Sequence, residues 1–210
     1  MRLPLCCGLL LAALASAFPA LSAVPAPVTV LLSFENPHSR PSFEAIERQL
    51  QHALVSTGLK LDVRDRASVA PHEEFADLVM FKMRGNCSMQ AGPARVSSVN
   101  TFSAERGALA MAYSSDGSVL SFGAVECDHV RESLRRLLGS SHHEQYDSAY
   151  GAALGLVMAH EIYHMRANSL AHTKGGFTKE SLSARELLDG KLSLPAIARF
   201  AIQGLPARPK

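Results

Sequence analysis

Two histidines four residues apart, His160 and His164, enclose a glutamate, Glu161, and a third histidine, His172, follows eight residues after the second. On an α-helix, residues four apart lie on one face a single turn from each other, so both imidazoles can reach one ion. H-E-x-x-H in that setting is a zinc pattern, with the glutamate acting as general base on a metal-bound water. Three neutral imidazoles leave a fourth tetrahedral position for that water, which is the mark of a catalytic rather than a structural zinc. Glu161 would take the water's proton and pass it to a leaving amine. The chemistry expected is therefore hydrolysis of a peptide bond.

The third ligand has two candidates. His172 is reachable if the chain turns back after Asn168, a residue type that tolerates the left-handed conformation. Glu186, 22 residues beyond His164, is the carboxylate alternative. His142 and His143 lie about five turns up the same helix, ~27 Å away, and cannot share the ion. His38, His52, His72 and His129 have no partners at ligand spacing and are expected at the surface. An oxyanion donor is also needed; Tyr150 and Tyr163 are candidates, although Tyr163 falls beside His164 and points away from the ion.

These side chains need a helix to carry them. Ser141-x-x-Glu144 has capping-box spacing, so a long helix starts there. Tyr146, Tyr150, Ala153, Leu154, Val157, Met158 and Glu161 then follow helical spacing and predict an amphipathic helix. Gly151 and Gly155, four apart, would let another element approach closely. Upstream, Val28 to Phe34 reads as a buried strand, a helix starts near Pro41, and Phe43, Ile46, Leu50, Ala53 and Leu54 form its inner face. Gly58 is the expected stop, Leu59 to Val63 a second strand, and Leu78 to Met83 a third. A loop covers Gln90 to Thr101. Asp116-Gly117 between two apolar runs predicts a hairpin over Ala108 to Val125. A helix follows from Asp128 to Leu138, ended by Gly139. Two short helices close the chain, from Ser181 to Leu188 and from Pro195 to Ile202, with Gly204 after the second. Leu187, Leu188, Ile197 and Phe200 are expected to pack beneath the central helix. The fold class implied is α+β, a mixed β-sheet packed on helices.

Composition narrows the setting. Arg2, the apolar run from Leu9 to Phe18 and Ala20-Leu21-Ser22-Ala23 read as a secretory signal peptide over residues 1–23, which would also remove Cys6 and Cys7. One domain is expected over 24–210. No later run is apolar enough for a membrane span. Losing Arg2 from 21 basic residues leaves 20 against 19 acidic ones, so nothing favours nucleic-acid binding. Cys87 and Cys127 then form an isolated even pair, expected as a disulfide in an exported chain, with a thiolate metal site as the alternative. A secreted or periplasmic monomer acting on a peptide or protein substrate is the expectation.

At His160 to His172 the chain resembles the zincin metallopeptidases, and among them the metzincin-like group, whose pattern is H-E-x-x-H-x-x-G-x-x-H followed by a Met-turn. Ala167 occupies the glycine position and Leu170 the third-histidine position, with His172 two residues later. Gly175-Gly176-Phe177-Thr178 is the nearest counterpart of the Met-turn. A longer likeness, to exported bacterial proteins regarded as zinc peptidases, includes Arg84-Gly85-Asn86-Cys87, the Phe122 to Cys127 strand and H-E-x-x-H-x7-H, and covers nearly all of the mature chain. The resemblance implies a zincin-type active-site helix, Zn2+ as cofactor, His160, His164 and His172 as ligands and Glu161 as base. It implies no substrate. In zincins a substrate pairs in extended form with an edge strand above that helix, a role the hairpin could fill; it could equally be an interior hairpin. The competing expectation is a zincin-derived binding or scaffold protein that keeps the metal and hydrolyses nothing.

Overall fold

A strand that is apolar on both faces belongs in the middle of a sheet, and Val28–Phe34 (β1) takes that place, with Val28 to Leu32 all buried. In the computed structural model, which describes residues 27–89, 107–138 and 143–202, β1 lies between β2 (Leu61–Asp65) and β3 (Leu78–Arg84) and runs parallel to both. The leader, the 90–101 loop, Gly139, the Ser141 cap, His142 and Gly204 fall outside those residues, as do the side chains of Ile197 and Phe200.

Asp116 and Gly117 both have positive φ, 50° and 79°, and turn β4 (Ala110–Ser115) into β5 (Ser118–Glu126). β5 pairs parallel to β3, and β4 pairs antiparallel to β5. The five strands run in the order β2-β1-β3-β5-β4, a mixed sheet with the antiparallel strand at one end. Alternation along the strands sends Val30, Leu32, Val79, Phe81, Met83 and Val125 into the core beneath the helices. Their neighbours Arg64, Lys82, Arg84 and Glu126 consequently take the opposite face. The architecture is α+β.

α1 (Arg40–Leu54) starts at Ser39, whose Oγ accepts the Ser42 N–H at 3.2 Å, with Pro41 in the first turn. Gly58, at φ 74°, closes a 3₁₀ turn (Val55–Thr57) that follows α1, so the stop comes one turn later than the end of the α-helix itself. α2 (Cys127–Leu138) follows β5 directly. α3 (His143–Ala167) is the longest element, at 25 residues. The expected amphipathic character is not what α3 shows: every residue from Ala153 to Met165 is buried. α1, α2, the strands β4 and β5, α4 (Ala184–Asp189) and α5 (Ala196–Ile202) pack around it. A helix with apolar residues on every face is stable only under such cover. A Cβ on Gly151 would strike the Ser42 carbonyl, and one on Gly155 would lie 2.8 Å from Gln49 Cβ. The element these two glycines admit is α1.

Cys87, after β3, is bonded to Cys127 at the start of α2. The surrounding polar groups are paired. Tyr150 donates from its hydroxyl to the Cys127 carbonyl at 2.7 Å, buried Asp147 accepts the Met89 N–H at 2.6 Å, and buried Arg131 donates to the Ser88 carbonyl and to Asp128. Leu187 is buried against α3, and Leu188 is partly buried on the same core.

Candidate metal centre

α3 ends where Asn168 takes φ 46°, and the backbone reversal that follows builds half of the site. The Ser169 N–H returns to the His164 carbonyl at 3.2 Å, closing the helix as a Schellman-type cap. The same reversal sets the Ser169 carbonyl against the His164 ring, whose Nδ1 donates to it at 2.7 Å. Asn168 Oδ1 also accepts the Val119 N–H at 2.7 Å, tying the helix end to the start of β5. Arg166 donates to both carboxylate oxygens of Asp77, ahead of β3, at 2.8 and 2.9 Å.

The other half is the segment from His172 to Thr178. Thr173 N–H donates to the Thr178 carbonyl at 2.9 Å, the two threonine hydroxyls bond at 2.6 Å, and Thr173 Oγ1 donates to the Gly175 carbonyl at 2.8 Å. Gly176, at φ 69°, lies so close to Ser193 and Pro195 that a side chain there would collide with both. The closed loop presents the Phe177 carbonyl to His160, whose Nδ1 donates to it at 2.7 Å. One loop thus carries the third histidine and the acceptor that orients the first.

Both Nδ1 atoms are committed as donors to carbonyl oxygens, so in the neutral rings both Nε2 atoms carry lone pairs. Those Nε2 atoms face each other at 2.9 Å. Two lone pairs at that separation repel unless a proton or a cation lies between them. A proton is disfavoured at neutral pH, because burial first, and the neighbouring histidines after it, push His160 down to about 4. Burial likewise lowers His164. His172 completes the group, its ring centroid 5.2 Å from that of His160 and 4.8 Å from that of His164. One ligand atom from each of the three histidines lies within 4.8 Å of the other two. This donor set fits a metal ion: three imidazoles close together, the two on α3 each oriented by a backbone acceptor.

Glu161 is buried beside this group, and burial pushes its carboxyl up to about 7. The opposing influence is the Ala112 backbone N–H of β4, which the carboxylate accepts. A cation at the three histidines would lower it further. The end strand β4 therefore touches the site through its main chain.

Searched against family models, curated proteins and solved structures, the chain matches none. What the site can do rests on its own geometry.

Of the expected site residues, His160, His164 and His172 come together. Glu186 does not join them: it accepts from Lys179 Nζ at 2.6 Å and, as the return half of the capping box of α4, from the Ser183 backbone N–H at 3.0 Å. Tyr150 is fully buried and spent on the Cys127 carbonyl, so it is a structural donor and not an oxyanion donor. Tyr163 does lie beside His164, with ring centroids 5.3 Å apart. Cys87 and Cys127 are bonded to each other and offer no thiolate to a metal. His38 is not a plain surface residue, since it stacks on Phe34 at 3.9 Å and lies 3.8 Å from Asp65. The two carbonyl acceptors, Phe177 and Ser169, were invisible to side-chain reasoning. The signals that could have pointed to them are Gly176 and Asn168, which force the backbone to turn there.

Proposed function

We propose that the chain is a zinc-dependent metalloendopeptidase of zincin type, in which His160, His164 and His172 hold Zn2+ and Glu161 is the general base. The observation that carries this reading is the pair of Nε2 lone pairs facing each other at 2.9 Å, one residue from a buried carboxyl. When bound, zinc supplies Lewis acidity that brings the pKa of a water towards neutrality. Zinc suits three imidazoles with an open fourth position, the ligand number of hydrolytic zinc sites.

The protein's own residues supply the proton path. Glu161, anchored by the Ala112 N–H, takes the proton of the attacking water as its oxygen bonds to the scissile carbonyl carbon. The C–N bond breaks with its electron pair on nitrogen, and Glu161 returns the proton to the departing amine. The products are a carboxylic acid and an amine, and the carboxylate base is regenerated. A metal held only for structure needs no carboxyl kept in a desolvated pocket beside it, which sets this reading above that of a non-hydrolytic scaffold. The disulfide fits an exported, secreted or periplasmic, chain. Among the described residues no helix is long and apolar enough to cross a membrane.

Digestion of a mixed peptide library by the purified chain tests the reading. Wild type should cleave, a chelator should stop cleavage, and Glu161→Gln should keep its zinc while losing about 100-fold or more in rate. A library left intact by zinc-loaded wild type, or cleaved equally by Glu161→Gln, would leave the scaffold alternative standing.

A further inference from the structure

Against His172, one of the three histidines, the surface opens into a cavity of about 650 Å³, within the range of ligand pockets. His172 is part of its lining, so a molecule in the cavity lies next to one of the three candidate ligands. Thr173, Lys174, Gly175, Gly176, Ser193 and Pro195 complete the lining. The glycines leave the wall without side chains. Gly176 is pressed against Ser193 and Pro195, whereas a Cβ on Gly175 would meet nothing within 4 Å. Space beside a hydrolytic centre that the protein leaves unfilled suits a group brought by the substrate.

Charge says which group. Lys174 is the lining residue that carries a full positive charge, it is exposed, and among the described residues it has no carboxylate partner. Lys179, on the same segment, is by contrast paired with Glu186 at 2.6 Å. No acidic residue lines the cavity. The Thr173 hydroxyl is already engaged with Gly175 and Thr178, so it does not compete for a ligand. We propose that this cavity receives a carboxylate of the peptide substrate next to the scissile bond, held by Lys174, so that the enzyme selects acidic peptides. The carboxylate can come from an aspartyl or glutamyl side chain or from the peptide's own C-terminus.

The inference rests on the peptidase reading for its chemistry, but binding can test it without turnover. The probe is a fluorescein-labelled, alanine-rich octapeptide with glutamate at one central position, beside its glutamine counterpart, each with a free or an amidated C-terminus. Anisotropy titration uses the full zinc-loaded chain as Glu161→Gln, alone and combined with Lys174→Glu or Gly175→Val. Gly175 has φ −158°, which any residue adopts, so valine fills the cavity without straining the loop. Glutamate over glutamine should bind about fivefold tighter, the size of a partly exposed ion pair. Lys174→Glu should reverse that order, and Gly175→Val should abolish binding with zinc content unchanged. A preference that follows the free terminus instead assigns the site to the chain end. Equal binding of all four peptides, no binding, or indifference to Lys174→Glu would overturn the proposal. Lys174-dependent binding without cleavage by wild type would instead defeat the peptidase reading and leave the carboxylate site in place.

Discussion

At the scale of single residues, Glu186 shows how one side chain can be read two ways from spacing and only one way in space. Its distance from His164 suits a carboxylate ligand, and its place three residues after Ser183 suits a capping box. The second role is the one it takes, with Lys179 as ion-pair partner. Bonds from Lys179 and then Ser183 hold its carboxyl down to about 2, against 4.5 for an unperturbed glutamate. The folded pKa is the lower one, so the contribution of this cap to stability is fully present above about pH 4.5 and is lost as pH falls towards 2. Protection of the Leu187 and Gly190 amides from hydrogen exchange, relative to the unstructured rate at each pH, should therefore fall through that window, both being bonded within α4. Glu186→Gln should remove the pH dependence; amides equally protected at pH 2 and pH 5 would contradict it. The histidines were legible because ligand type and spacing are properties of side chains. Phe177 and Ser169 were not, because they act through carbonyl groups that every residue carries.

At the scale of elements, the end of α3 couples the fold to the site. Asn168 reverses the chain, and the Ser169 carbonyl meets His164 only because of that reversal. Asn168→Gly keeps the left-handed backbone and loses the side-chain bond to Val119, whereas Asn168→Ala loses both. Alanine should be less stable than glycine by about 1 kcal/mol, readable as a difference in urea midpoint at constant slope. Equal midpoints would mean that the backbone does not need the left-handed conformation. Most of the elements around this turn were legible. β1 followed from its β-branched apolar run, the hairpin from Asp116-Gly117, and α1 from Pro41 and its apolar face. The character of α3 was misread, since spacing reports where apolar residues recur and not how many neighbours surround them. Only the assembled packing of α1, α2, α4, α5 and the sheet explains why Leu156, Ala159 and Ile162 are buried as fully as Leu154 and Met158. The tie between Arg166 and Asp77 joins residues 89 apart and left no local signal.

At the scale of the whole molecule, one face of a mixed sheet supports a buried helix, and the helix and the loop beyond it carry the site. The disulfide fixes the far end of that arrangement, joining β3 to α2 across a separation of 40 residues. Replacing Cys87 and Cys127 together by serine should cost about 2–4 kcal/mol and lower the melting temperature by roughly 5–15 °C. The three histidines lie on other elements, so the zinc content expected of the proposed site should not change below the transition. An unchanged melting temperature would show that the packing of Arg131, Asp147 and Tyr150 holds that end without the bond. The central claim is that three histidines from one helix and one loop form a metal centre. Its most direct test is the zinc content of the purified chain, wild type beside His160→Ala, His164→Ala and His172→Ala, with circular dichroism to confirm the fold of each. One zinc per chain in wild type, lost or greatly weakened in all three variants, is the result expected. No zinc in a folded wild type, or full retention by His172→Ala, would contradict it.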